Sequence, residues 1–389
     1  MPSLSRERPS VSADQPLSTY PHVRVSGDAT ERGREYGRQA RERIEKSISS
    51  YREAFDYYAG WDWSTVREFA AGFEAPIKAF GAKYLEELHA IARGAGVDAL
   101  DIIAINVRTE IMYSAKARDA TVSLPGECSA FALIPPPGAT ESLVIGENWD
   151  WLAHAFDTLV VLEATQDAGP AYVTVVEAGL LAKMGMNAAG LGLATNALAS
   201  DRDAGEPGVP YHVMLRAILD CSRVSEAFAR IQGAYRSSSA NYLVAHRDGS
   251  ALNIESTPGD FSRVHLLDAR DNVLLHTNHF LSPTFDDVDV SLWAMPDSPV
   301  RLARLRAGLE GGQASVAKLK ELLRDHANYP FSICCHPSPD DDLIDQGATI
   351  ASVLMDLGDA TMWLADGLPC AMPYRELNFQ ELFVGSRRA

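Results

Sequence analysis

Apolar residues follow two different periods along this chain, and the change falls near residue 127. On the N-terminal side, Tyr36, Ala40, Ile44, Ile48, Tyr51 and Phe55 recur at three- and four-residue steps, which predicts one amphipathic helix. A short strand over about 20–25 leads into it through Ser26-Gly27-Asp28, where Asp28 or Thr30 can accept from exposed N–H groups of the first turn. Further helices are predicted at about 64–80, 82–94 and 98–114. After Pro125-Gly126, short runs rich in Val, Leu, Ala and Thr recur between turn signals, the pattern of strands. They cover about 129–134, 143–148, 158–165, 171–176, 182–187, 190–195, 241–246, 251–256, 262–267, 272–277, 348–356 and 360–366. Helical patterns interrupt them at about 211–231, 298–309 and 315–326. The expectation is a polar tail to about residue 20, a helical preface, and an α+β body with helices packed on antiparallel sheets.

Of the 389 residues, 46% are hydrophobic, enough for a sizeable buried core. The formal net charge of −17 repels phosphate backbones and anionic membrane surfaces, so neither nucleic acid nor membrane is an expected partner. The N-terminus lacks the apolar centre of a signal peptide, and no run reaches the roughly 18 apolar residues of a bilayer span. A soluble, cytoplasmic protein is expected. Five irregularly spaced cysteines argue against a disulfide framework. Cys334-Cys335-His336 lacks the C-x-x-C spacing of a zinc site, and adjacent side chains diverge on a strand, so no metal site is expected.

Cys128 opens the first run after the change of period. Pro125-Gly126-Glu127 before it can turn tightly, and Ser129 to Ile134 reads as a strand buried on both faces. Free cysteine in such a place is often a small packed hydrophobe. The run Gly146-Glu147-Asn148-Trp149-Asp150-Trp151 changes the picture, because polar heads buried at a strand end need partners. If 129–134 and 143–148 form a hairpin, Asp150 lies near Cys128. At another strand end, His276-Thr277-Asn278-His279-Phe280 offers a side-chain amide that could donate to a developing oxyanion; a satisfied turn asparagine is the alternative. The two histidines there are a weak metal pattern on a strand. Gly190-Leu191-Gly192 is followed by no phosphate-loop pattern, and no G-x-S-x-G occurs. Arg301, Arg304 and Arg306 predict a solvated helix face.

These motifs together resemble the acyl-coenzyme A:6-aminopenicillanic-acid acyltransferase (isopenicillin-N acyltransferase) family of N-terminal-nucleophile hydrolases. The matching pieces are Gly-Glu-Cys-Ser-Ala at 126–130, Gly-Glu-Asn-Trp-Asp-Trp at 146–151, Lys-Met-Gly-Met-Asn-Ala-Ala-Gly at 183–190 and Thr-Asn-Ala-Leu at 195–198. His-Thr-Asn-His at 276–279, Asn-Tyr-Pro-Phe-Ser-Ile-Cys at 328–334 and Gly-Ala-Thr at 347–349 continue the series in order. The resemblance implies a four-layer αββα sandwich and an inactive precursor. It further implies that the Cys128 thiol attacks the Glu127 carbonyl, separating a helical segment 1–127 from a catalytic segment 128–389. The new α-amine, with a typical pKa near ~8, would then serve as base beside its own thiol.

The same resemblance assigns Asn278 to the oxyanion and Asp150 to orienting the amine; Asn148, Trp149 and Trp151 are candidates to shape an acyl pocket, with core packing the alternative role for the tryptophans. It implies no cofactor, although a coenzyme A thioester can serve as acyl donor. The expected partners are a small-molecule amide or acyl-thioester substrate and the two fragments of one precursor, with a homo-oligomer left open. Glu127, Ser129, Glu147 and Gln346 depart from the penicillin enzymes and put a penicillin substrate in doubt. Two classes stay open: a self-processing amide hydrolase or N-acyltransferase, and a non-catalytic binding or structural relative that keeps the fold.

Overall fold

In a computed structural model the chain is described over residues 19–118, 128–309 and 314–385. Strand β1 (His22–Gly27) leads into α1 (Ala29–Gln39), α2 (Arg41–Ala59), α3 (Trp63–Ala71), α4 (Glu74–Phe80), α5 (Ala82–Ala95), α6 (Ala99–Asn106) and α7 (Arg108–Arg118). Asp28 caps α1 in a reciprocal box: its carboxylate accepts from the Glu31 N–H at 2.8 Å, and Glu31 accepts from the Asp28 N–H at 3.0 Å.

Three of the predicted helices before Cys128 are broken, and each break has a local cause. The first becomes α1 and α2, meeting at Ala40. Here α1 lies backbone to backbone on α5: a Cβ at Gly37 would come within 2.1 Å of the Ile91 carbonyl, and one at Gly94 within 2.0 Å of the Arg34 carbonyl. That contact sets the direction of α1 independently of α2. The helix predicted over 64–80 is α3 and α4, because Pro76 has no N–H and is tolerated only in a first turn. The one predicted over 98–114 is α6 and α7. At that break the Asn106 amide donates to the Ile102 and Gly179 carbonyls, and its oxygen accepts from the Leu181 N–H.

The strands form two sheets. The smaller contains β2 (Cys128–Leu133), β3 (Val144–Leu152), β11 (Val273–His276), β12 (Gly347–Asp356), β13 (Thr361–Ala365) and β14 (Arg375–Asn378), in the order β11-β2-β3-β12-β13-β14. The larger runs β1-β4-β5-β6-β7-β8-β9-β10 through β4 (Leu159–Gln166), β5 (Tyr172–Glu177), β6 (Met184–Asn187), β7 (Leu191–Ala197), β8 (Ala240–His246), β9 (Ala251–Ser256) and β10 (Val264–Leu267). Among the strands of the described residues, β1 and β4 alone pair in parallel. β14 escaped the sequence reading because its four residues alternate between half-buried and exposed and carry little apolar signal. Gly190 turns the β6–β7 hairpin at φ +100°.

The sheets face each other closely: a Cβ at Gly192 of β7 would come within 2.7 Å of Ile145 of β3. Outside the larger sheet lie α8 (Tyr211–Leu219), which contacts β6 and β7, and α9 (Val224–Gly233), which contacts β8 and β9. These replace the single helix predicted over 211–231, because the Asn187 amide donates to the Leu219 and Cys221 carbonyls that a continuing helix would have used. After α10 (Ser291–Ala294), helices α11 (Ser298–Leu309) and α12 (Val316–Leu322) cover the smaller sheet. There Leu305, Leu319 and Leu323 pack on Phe131, Val144 and Leu354. The architecture is the expected αββα sandwich with an N-terminal helical segment. Its main apolar core draws on residues from Tyr20 to Phe383, so the segments on either side of Cys128 share it. Among the described residues no helix is long and apolar enough to cross a membrane.

Candidate active site

Register decides which side chains meet. Cys128 stands opposite Trp149 on β3, and Ala130 opposite Glu147. Opposed residues of an antiparallel pair share a face, so Cys128, Glu147, Trp149 and Trp151 point between the sheets. Ser129, Asn148 and Asp150 point outward to the covering helices. The interior side forms a narrow cavity bounded by Cys128, Trp149, Trp151, Lys183, Tyr211 and, from α7, Arg108.

Lys183 was not anticipated. Its ammonium lies 3.9 Å from the Cys128 sulfur and 3.2 Å from Glu147 Oε1, and it donates to the Thr195 carbonyl at 3.3 Å. Glu147 in turn accepts from the Thr195 N–H. Burial pushes the Cys128 thiol up to about 12, against the pull of Lys183. Burial also raises Glu147, opposed by Lys183. For Lys183 burial works downward, but Cys128 and Glu147 outweigh it and hold the ammonium charged. A lysine within the strand predicted over 182–187 and a glutamate in β3 were the available signal, since buried charges persist only when paired.

On the other side of β2, Asn278 Oδ1 accepts from the Cys128 N–H at 2.6 Å and from Arg301 Nη2 at 3.0 Å, while Nδ2 donates to the Ala197 carbonyl at 2.9 Å. Those three partners fix the amide orientation, because a flipped amide would set N–H against N–H and oxygen against oxygen. The sequence reading had this amide donating to an oxyanion; here its oxygen faces Cys128. One Nδ2 hydrogen is left without a partner among the described residues. Arg301 is not on a solvated face, as its spacing had suggested. It is 1% exposed and donates to the Cys128 carbonyl at 2.9 Å and to Ser129 Oγ at 3.2 Å, while Asp297 accepts from its Nε at 2.6 Å. Arg304 and Arg306 do face solvent.

Asp150 lies one residue beyond the partner of Cys128, on the outer face. Its carboxylate accepts from the Thr349 hydroxyl, and Oδ2 has no partner among the described residues. Burial raises its pKa to about 8, opposed by Arg301 and Thr349. Its main chain acts against the rise of the Cys128 thiol, while its carboxylate adds to that rise. Asn148 does not line the cavity: its amide donates to the Leu323 and Ile333 carbonyls and ties β3 to the outer helical layer. Trp149 and Trp151 do line it. Trp151 donates to Tyr51 Oη and lies under the Arg108 guanidinium at 3.8 Å. Arg108 pairs with Glu177 at 2.9 Å, yet its Nε and Nη1 have no partner among the described residues. Glu127 lies outside the described residues. His276 and His279 hold no common site: His276 pairs with Glu255 at 2.8 Å and His279 with Ser298 at 2.8 Å.

Two stacked sheets between helices, with a cysteine opening an inner strand beside a narrow cavity, give the fold of the N-terminal-nucleophile enzymes, and the chain is an enzyme that cleaves or transfers acyl groups at amides. More narrowly, the chain belongs to the acyl-coenzyme A:6-aminopenicillanic acid acyl-transferase family, whose sequence model matches residues 138–369. The 40 kDa form of the acyl-coenzyme A:6-aminopenicillanic-acid acyltransferase of Emericella nidulans is 28% identical over 320 residues, 80% of this chain and 84% of the relative. Among solved structures, penicillin V acylase from Agrobacterium tumefaciens is similar at 16% identity, covering 65% of this chain and 87% of its own, with a TM-score of 0.43. A variant conjugated bile acid hydrolase from Clostridium perfringens is similar at 12% identity, covering 65% and 93%, with a TM-score of 0.45.

Proposed function

We propose that the protein is a self-processing cysteine amidohydrolase acting on a small N-acyl amine. In maturation the Cys128 sulfur attacks the Glu127 carbonyl carbon; the C–S bond forms as the C–N bond breaks, and the nitrogen takes up a proton. Water then opens the thioester, leaving a Glu127 carboxylate and a free Cys128 thiol with an α-amine. In turnover the sulfur takes the substrate acyl group, the amine departs with a proton, and water releases the acid. Asp150 and Asn278 orient the Cys128 nitrogen, and the second Nδ2 hydrogen of Asn278 serves the oxyanion. The observation that carries this reading is the double setting of Cys128: its sulfur faces the narrow cavity and Lys183, while its nitrogen bonds Asn278 at 2.6 Å.

The cavity walls suit an apolar acyl group, and the unpartnered nitrogens of Arg108 supply an anchor for a carbonyl or carboxylate. Because α7 and β2 both line the cavity, the two fragments stay associated after cleavage. Transfer from a coenzyme A thioester to an amine uses the same thioester intermediate and is the second reading, supported by the name of the fungal relative. Work in the cytoplasm agrees with five free cysteines. Intact mass of purified protein tests maturation: fragments 1–127 and 128–389 in the wild type, and one uncut chain in Cys128→Ala. A panel of N-acyl amines and acyl-coenzyme A donors then separates hydrolysis from transfer. An uncut wild type that turns over neither set would leave the non-catalytic relative as the better account.

A further inference from the structure

On the outer side of the smaller sheet, beyond Thr349 and Asp150, four side chains converge: His326, Cys334, His336 and Cys370, with one ligand-capable atom each and all four atoms within 4.8 Å of one another. The sequence reading dismissed Cys334-Cys335-His336 because neighbours on a strand diverge. The segment is a loop instead, and Cys334 and His336 turn the same way while Cys335 turns to Thr349. His336 Nε2 lies 3.1 Å from His326 Nε2, 3.4 Å from Cys370 Sγ and 3.7 Å from Cys334 Sγ. A tetrahedral zinc ion, with bonds of about 2.3 Å to sulfur and about 2.05 Å to nitrogen, sets its donors about 3.3 Å (N···N) and about 3.6 Å (N···S) apart. The three distances from His336 match those between neighbouring corners of such a tetrahedron, and the remaining pairs lie within 4.8 Å.

The backbone holds this arrangement in advance. Cys334 N–H donates to the Asp325 carbonyl at 3.1 Å, Tyr329 N–H to His326 at 3.1 Å, and His336 N–H to Pro330 at 3.0 Å. Arg324 donates to the Pro369 carbonyl at 2.8 Å, so the loop carrying Cys370 is tied to the same place. Two thiolates and two imidazoles select zinc over magnesium or calcium, which prefer oxygen.

We infer that His326, Cys334, His336 and Cys370 form a structural zinc site. Four protein ligands close the coordination sphere, so the ion takes no part in acyl chemistry. Its effect on the enzyme runs through the loop. Cys335 N–H donates to Thr349 Oγ1 at 2.9 Å, and Thr349 accepts there while donating its own hydroxyl to Asp150. Zinc thereby stiffens the support of Asp150 from outside the sheet.

The test is metal content by plasma mass spectrometry after zinc reconstitution under reductant, followed by desalting. About one zinc ion per chain is expected, retained by Cys221→Ser and lost from the Cys334→Ser/Cys370→Ser double variant. Cobalt(II) in place of zinc should give the visible bands of a tetrahedral site and a sulfur-to-metal charge-transfer band, both absent from the double variant. If the double variant does not fold, the exposed ligands are replaced singly. His326→Ala and Cys370→Ser should each weaken zinc binding by more than the ~10- to 100-fold typical of losing an outer partner. Reconstituted wild type with less than about a tenth of an ion per chain, or a Cys334–Cys370 disulfide recovered under reductant, overturns the site. So does full zinc retention in the single and double variants. None of these readouts depends on Cys128 or on turnover.

Discussion

The side-chain oxygen of Asn278 accepts a 2.6 Å hydrogen bond from the main-chain nitrogen of Cys128. Asn278 therefore holds the atom that becomes the α-amine if the chain is cut before Cys128. It can supply the oxyanion donor only through its remaining Nδ2 hydrogen. Two variants separate these jobs. Asn278→Asp keeps an acceptor for the nitrogen and loses the donor; Asn278→Ala loses both. Turnover should fall ~100- to 1,000-fold in each, while cleavage should survive better in Asn278→Asp. Full turnover by either variant would refute the oxyanion role, read as kcat against the panel of amides.

Lys183 is the cation beside the Cys128 sulfur and the partner of Glu147. Removing one half of a buried pair typically costs ~3–5 kcal/mol, because the other charge stays buried. Lys183→Met should be destabilised on that scale, and Lys183→Met/Glu147→Gln should recover most of the loss in urea denaturation. Neither variant should recover the wild-type cleavage rate, because the thiol then lacks the charge that opposes its high pKa. Wild-type cleavage kinetics in the double variant would remove Lys183 from the mechanism.

Asp150 predicts a pH dependence of stability. Burial raises it to about 8, above the ordinary 3.8 of an aspartate, so between these values the folded chain keeps a proton that the unfolded chain releases. Its contribution is fully present below about pH 4 and is lost as pH rises through 8. In a Cys128→Ala background, which keeps every sample uncut, Asp150→Asn should flatten the fall in stability between pH 5 and 8. Glu110, raised to about 7 by burial, contributes in the same direction and remains in both proteins. Equal slopes with and without Asp150 would contradict this assignment.

Arg301 bridges the Cys128 carbonyl, Ser129 and Asn278 without facing the cavity, which makes it a positioning residue. Arg301→Ala should slow cleavage and lower kcat with little change in KM, and should shift the acidic limb of the pH profile upward by removing a cation that lowers Asp150. Arg301→Lys should restore the pH profile better than the rate, since lysine keeps the charge but not the fork of donors. A change confined to KM would place Arg301 in substrate binding instead.

The α1–α5 contact gives a stability test remote from chemistry. Gly37→Ala drives a Cβ to 2.1 Å from the Ile91 carbonyl, so the helices must separate. A loss of ~1–3 kcal/mol, the usual cost of overpacking, is expected in thermal or urea unfolding. A variant as stable as wild type would mean that α1 does not bear on α5.

Much of this protein follows from sequence because periodicity and turn chemistry are local. The change of period at Cys128, the Asp28 cap, most strands and the order of the motifs were legible one element at a time. Pro76 even carried the signal for a break that the apolar spacing concealed. What the sequence could not express is which elements face one another. Register reverses a strand's face at every residue, so Asn148 turns to the helical layer while its neighbour Trp149 enters the cavity. Arg301 has the spacing of a solvated residue and is buried because α11 lies across the start of β2. Lys183 meets Cys128 across two sheets, and Cys370 meets His336 across a loop of a different strand pair. Local pattern determined most of the elements and the place of Cys128 in them. Packing between layers, which no single period encodes, decided what surrounds it.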